Sequence, residues 1–247
     1  MKNGILSALS EWLFMDNDTC PVCGKVLFST KRFLCSSCKD SLYINAAGHC
    51  EGCGRMLTKT DSRLCPECMN HSGILDGGFS WLGYDDTAKG IIEGYKFHYR
   101  KKLAFWCGLQ MSEKIIEKPW LSDVTHICAI PLHVNRYAER GYNQSEMIAE
   151  GIRTGLVSKG INLLPGYHFV VRTKDTPHQL GMDRAFRQQN VKGAFAVPVQ
   201  NEVSKTRVLL VDDVLTTGST LFNAALVLKK SGAQKVYAAT CASLPGE

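Results

Sequence analysis

The chain has no apolar run approaching the roughly 18–20 residues that a membrane-spanning helix needs, which argues against a helical integral membrane protein. Residues 1–14 carry Ile5, Leu6, Leu9, Trp12 and Leu13 near helical spacing, with a single Lys and no small-residue cleavage site. A secretory leader is therefore not expected there. A helix packed on its own protein is the first reading, and contact with a membrane surface the second. No helix-turn-helix pattern is present, which leaves the chain without a recognisable duplex-DNA reader. Charge of one sign is also scarce: 29 Lys and Arg stand against 23 Asp and Glu, a formal +6.

Cysteine is abundant, with eleven in 247 residues. Without a leader, disulfides are a poor explanation, and spacing offers a better one. Cys20/Cys23, Cys35/Cys38, Cys50/Cys53 and Cys65/Cys68 form four Cys-x-x-Cys knuckles, each starting 15 residues after the last. Two knuckles supply the four thiolates that a tetrahedral zinc requires, and Pro21, Gly24, Gly52 and Gly54 suit the turns. Two structural Zn2+ ions are expected, with no coordination position open for chemistry. Even spacing permits either sequential or interleaved pairing; the shorter loops closed by sequential pairing favour it. Eight thiolates and two zinc ions would bring the formal charge down to about +2, so the basic balance is no argument for nucleic acid. His49 and His71 are surplus to such sites. Cys107, Cys128 and Cys241 lie among apolar residues and read as small core residues.

Beyond Cys68 the composition changes. Residues 71–78 read as a linker, dividing a zinc-ribbon domain (1–72) from a larger one (73–247). Strands are expected at 79–84, 126–130, 168–172, 194–197, 208–211 and 235–241. Helices are expected at 87–97, 101–117, 144–159, 182–189 and 221–231. The alternation implies an α/β fold, a parallel sheet covered on both faces.

Residues 208–220 carry the chemistry. A β-branched apolar run leads into Asp212 and Asp213, then Thr216, Thr217, Gly218, Ser219 and Thr220, then a helical stripe of Leu221, Ala224, Ala225 and Leu228. In open α/β sheets, ligands bind beyond the carboxyl ends of strands. Backbone N–H groups at a helix start take phosphate, and two adjacent carboxylates can take a sugar's neighbouring hydroxyls.

This string resembles the 5-phosphoribosyl-1-pyrophosphate (PRPP) motif of type I phosphoribosyltransferases. The resemblance implies that Asp212 and Asp213 contact the ribose 2- and 3-hydroxyls and that Thr216, Thr217, Gly218, Ser219 and Thr220 wrap the 5-phosphate. In an active enzyme, Mg2+ would bridge the pyrophosphate and those hydroxyls.

Three other segments contain candidate site residues. Residues 130–144 read as a loop at the ligand edge, offering Arg136 and Arg140 to pyrophosphate, with a solvated basic loop as the other reading. Residues 172–187, with Pro177 and Gly181, read equally as a lid that brings Arg184 or as an ordinary exposed connection. Residues 95–102 alternate aromatic and basic side chains. The favoured reading is a helix end with its aromatics in the core and its cations in water; the other is base stacking with phosphate contacts.

The knuckles, Lys96-Phe97, Pro131, the string Arg140-Gly141-Tyr142-Asn143-Gln144, residues 176–179 with Arg184, and the PRPP motif occur in this order, and together they resemble the ComF/GntX family of competence-type proteins. Tyr142 stands where that family usually has Phe. The resemblance spans nearly the whole chain and implies a cytoplasmic protein with an N-terminal double zinc ribbon and a phosphoribosyltransferase-like domain. It further implies work in DNA uptake at the inner face of the membrane, with single-stranded DNA and a competence DNA translocase as partners. Two functions stay open on the sequence. One is a DNA-uptake protein that binds PRPP or a related phosphosugar. The other is an active phosphoribosyltransferase in nucleotide or small-molecule salvage, although no base-recognition hood is legible. A zinc-ribbon transcription regulator with a sugar-phosphate sensor ranks below both.

Overall fold

The structure, a computed structural model, describes residues 19–28, 32–44, 48–58, 62–175 and 193–246. The expected helices at 1–14 and 182–189, most of the lid segment and Arg184 lie outside them.

The ribbon region contributes two short helices, α1 (Ser36–Asp40) and α2 (Pro66–Asn70), each starting just after the first cysteine of its knuckle. The α/β region follows with β1 (Gly77–Gly83), α3 (Asp86–Phe97) and α4 (Lys101–Ile115). A 3-10 turn at Pro119–Asp123 leads into β2 (His126–Ala129), α5 (Val134–Arg140) and α6 (Gln144–Val157). Then come β3 (Leu164–Pro165), β4 (Val171–Arg172), β5 (Phe195–Ala196) and α7 (Gln200–Val203). The chain ends in β6 (Arg207–Leu215), α8 (Ser219–Lys230) and β7 (Lys235–Ser243).

Five strands form one parallel sheet in the order β1-β7-β6-β2-β3. Four of them are at expected positions. The edge strand β3 was not expected; two residues are too few for a period, and Pro165 suits an edge because it has no N–H to leave unpaired. The strands expected near 168–172 and 194–197 are two residues long each and, among the described residues, pair only with one another, antiparallel, outside the parallel sheet. Residues 130–144 were expected as a loop. They contain α5, a helix with no buried residue and hence no apolar stripe to announce it. Gly141, at φ 68, ends it in the left-handed region, and Asn143 caps α6 by accepting the Ser145 N–H at 3.0 Å.

Strand alternation sorts the core onto the two faces of the sheet. Leu209 and Val211 of β6, with Tyr237 and Ala239 of β7, face a cluster containing α3, α4, α6 and the first ribbon's Cys20, Cys35 and Cys38. Val208 and Leu210, with Val236 and Ala238, face α8, β5 and the second ribbon's four cysteines. Each ribbon thus packs on its own face of the sheet. Helices α4 and α6 cross backbone to backbone: a Cβ on Gly108 would collide with the Ile148 carbonyl oxygen, and one on Gly151 with that of Phe105. Among the described residues no helix is long and apolar enough to cross a membrane.

Candidate phosphosugar site and zinc ribbons

Strand β2 stops at Ala129, and Ile130 makes the last backbone bond to β6, donating to the Val211 carbonyl. β6 runs on beside β7 alone, so Asp212 and Asp213 lie beyond the end of β2, at the sheet's carboxyl edge. Both carboxylates are buried. Asp213 accepts from Lys96 Nζ at 2.8 Å and from the Gln144 side-chain amide at 2.9 Å. Asp212 accepts its neighbour's N–H at 2.9 Å and the Ser145 hydroxyl at 3.3 Å. The two differ in ionisation. Burial, then the charge of Asp213, pushes Asp212 up to about 7. Burial opposes ionisation of Asp213 too, but the Lys96 ammonium and the Gln144 amide hold it below the usual carboxylate range.

After Leu215 the chain turns through Thr216 and Thr217 to Gly218, whose φ of 79 suits glycine, and α8 begins at Ser219. The helix starts two residues before the expected 221 because Ser219 and Thr220 already belong to its first turn. Thr217 and Ser219 share a hydroxyl contact at 2.9 Å. Among the described residues no hydrogen bond engages the N–H of Thr216, Thr217 or Gly218. These donors and the start of α8 form a concentration of backbone dipoles suited to an anion.

The other candidates fall into place unequally. Arg140, at the end of α5, donates to Gln144 Oε1 at 2.9 Å and lies 5.7 Å from the Phe97 ring centroid; through Gln144 it joins the acid pair. Arg136 pairs with Glu139 at 3.0 Å and makes no direct contact with the acids among the described residues. Asn135, on the same helix, donates to Asp175 at 2.6 Å, so the 130–144 and 172–187 segments meet where the second leaves the described residues.

Lys96 has a role that the sequence did not disclose, and it corrects the helix-end reading. That reading put the cations of 95–102 in water and the aromatics in the core. Tyr95 is in the core, but Phe97 and Tyr99 are exposed and Lys96 turns inward. The reason is Asp213, a buried carboxylate that needs a counter-charge. The signal was positional: Lys96 lies one residue after a core aromatic, on the turn that leaves α3 toward the sheet edge.

The cysteines gather as sequential pairing expected. The sulfurs of Cys20, Cys23, Cys35 and Cys38 form one cluster and those of Cys50, Cys53, Cys65 and Cys68 another, each set within 4.8 Å. Cys23 and Cys35 sulfurs are 3.7 Å apart, and Cys53 and Cys65 3.6 Å. Four thiolates at about 2.3 Å from a zinc would stand about 3.8 Å apart, so both sites fit structural Zn2+. Cys107, Cys128 and Cys241 are fully buried, as expected.

A double zinc ribbon domain family model matches residues 9–69 and a phosphoribosyl transferase domain model matches 158–246. Competence protein F of Haemophilus influenzae is 38% identical over 111 residues, 44% of this chain and 46% of that protein. DNA utilization protein YhgH of Escherichia coli K12 is 30% identical over 131 residues, 52% of this chain and 48% of that protein. The chain therefore spans about half the length of the relatives it matches. Among solved structures, glutamine PRPP amidotransferase from B. subtilis aligns at 15% identity and a TM-score of 0.38, over 57% of this chain and 26% of that one. Parallel sheet, flanking helices and two four-cysteine sites define a phosphoribosyltransferase-type α/β protein with an N-terminal double zinc ribbon. With these relatives beside that architecture, the comparisons support a ComF-type protein with a phosphoribosyl transferase domain, to which the chain is similar over about half the relatives' length.

Proposed function

We propose that the protein is a competence-type component of DNA uptake in natural transformation that binds PRPP or a related phosphosugar. In this reading, residues 1–72 are the ribbon domain and 73–247 the phosphosugar domain. The protein works in the cytoplasm at the inner membrane face, with single-stranded DNA and a DNA translocase. The observation that carries the phosphosugar assignment is the meeting, at one end of β6, of two buried carboxylates and a turn whose N–H groups are unengaged among the described residues. Asp212 and Asp213 would accept from the ribose 2- and 3-hydroxyls, while Thr216, Thr217, Gly218, Ser219 and Thr220 donate to the 5-phosphate. Arg140, with Arg136 and Arg184 as further candidates, would offset pyrophosphate charge. Mg2+ would arrive with PRPP, held by the pyrophosphate and the hydroxyls that the acids orient.

The uptake role is supported by the names of the two relatives and by exposed Phe97 and Tyr99 beside Arg140, a surface that could stack single-stranded bases. Calorimetry with PRPP and Mg2+ tests the site: wild type should bind, and the Asp212→Asn/Asp213→Asn double variant should lose at least ten-fold. Equal affinity in both sinks the phosphosugar reading. Single-strand binding should be strongest at low salt and weaken steeply as salt rises.

A second reading, turnover of PRPP onto an acceptor, is favoured by Asp212, whose carboxyl near pH 7 can exchange a proton under working conditions. A screen for pyrophosphate release with nucleobases and single-stranded DNA as acceptors decides between them.

A further inference from the structure

The second ribbon reaches the turn at 216–220 directly. Arg55 follows the Cys50/Cys53 knuckle, is 2% exposed, and donates from Nη2 to the Thr216 carbonyl at 2.7 Å. Its other terminal nitrogen stands 3.6 Å from Glu67, which lies between Cys65 and Cys68. The guanidinium therefore spans both knuckles of one metal site and ends on the turn. Three neighbouring contacts fix the same joint. A Cβ on Gly54 would collide with the Phe79 backbone nitrogen, so the knuckle lies directly on β1. His71, just past α2, stacks on Phe222 of α8 at 4.6 Å. Gly246 packs on the Arg55 stem and donates to the Met56 carbonyl at 2.8 Å.

A peptide unit is planar and trans, so its C=O and N–H point in opposite directions. Holding the Thr216 carbonyl on Arg55 turns the Thr217 N–H away from the ribbon. A cation on the carbonyl oxygen also polarises that peptide and strengthens its N–H as a donor to an anion. Thr217 N–H is one of the groups left without a partner among the described residues.

We propose that Arg55 is a positioning residue for the phosphate-binding turn, so that the second zinc ribbon is part of the phosphosugar site rather than an independent module. This inference rests on the phosphosugar reading above. Lysine can keep the charge but not the fork that joins Glu67 to the Thr216 carbonyl. Methionine keeps most of the stem and neither function.

The experiment is calorimetry on the full, zinc-loaded chain with ribose 5-phosphate as the probe, and with ribose 1-pyrophosphate, which lacks the 5-phosphate, as the control. Zinc content and the thermal transition are measured for every variant. Arg55→Met should weaken ribose 5-phosphate about ten-fold, the effect of losing one charge-assisted bond. Arg55→Lys should recover part of that loss, and the control should move less than two-fold in both. Folded, zinc-replete Arg55→Met that binds ribose 5-phosphate as wild type does would overturn the inference and leave the phosphosugar reading intact. Wild type that binds neither probe would overturn that reading, and the inference with it. If Arg55→Met does not fold, Arg55→Lys decides: a three-fold or larger loss confined to the 5-phosphorylated probe supports the inference, and unchanged affinity overturns it.

Discussion

Lys96 Nζ lies 2.8 Å from Asp213 Oδ2, with both side chains largely withdrawn from water. The pair ties the end of α3 to the carboxyl end of β6 and fixes which of the adjacent acids carries charge. Removing the ammonium leaves Asp213 buried and uncompensated. Lys96→Met should therefore lower unfolding free energy in urea by about 3–5 kcal/mol. Adding Asp213→Asn should return most of that loss, since a neutral amide needs no counter-charge. A loss below about 0.5 kcal/mol in the single variant contradicts the assignment.

Asp212 predicts a pH dependence. Its folded pKa of about 7 lies above the ordinary carboxylate value, so ionising it is harder in the folded chain than in the unfolded one. A raised carboxyl favours folding at low pH, and that contribution is lost as pH climbs from about 4 to about 7. Asp212→Asn keeps an acceptor for the Asp213 N–H and removes the ionisation. It should raise the melting temperature at about pH 8, by the equivalent of up to about 4 kcal/mol, and change it little at about pH 4. Equal shifts at both pH values would show that Asp212 does not titrate in this window. The same variant should bind PRPP more weakly, a gain in stability accompanying a loss of function.

The crossing of α4 and α6 predicts a packing cost. Alanine is a better helix former than glycine by up to about 1 kcal/mol. At Gly151 the new methyl would collide with the Phe105 carbonyl oxygen, so the helices must separate. Gly151→Ala should destabilise by about 2 kcal/mol in thermal or urea unfolding. A stabilised variant would mean that the helices are not in backbone contact.

The ribbons predict two zinc equivalents per chain by elemental analysis. Cys23 is exposed, whereas all four cysteines of the second site are buried. A thiol reagent with a colorimetric chelator should release zinc in two phases, the first ribbon's ion leaving first. One equivalent in intact protein, or a single phase for both, is the contrary result.

Much of this was written in the residues themselves. The Cys-x-x-Cys spacing, the β-branched run before Asp212 and Asp213, and the hydroxyl-rich turn are short-range patterns whose chemistry depends on neighbours in the chain. Sequential zinc pairing was legible for the same reason, through short loop closure. Helix α5 was not, because a helix with no buried face leaves no apolar period. β3 and the β4–β5 ribbon escaped or were misplaced because two-residue strands are defined by their partners.

The sequence by itself determined the ligand chemistry at each locus: thiolates in fours, paired carboxylates, small residues at a helix start. Tertiary structure alone decided which charges those groups carry and what holds them. Lys96 and Asp213 are far apart in the chain, as are Arg55 and Thr216. Their pairing follows from sheet order, helix crossing and the seating of a ribbon on each face. Burial then does what no local pattern encodes, separating the ionisation of two adjacent aspartates by giving a cation to only one of them.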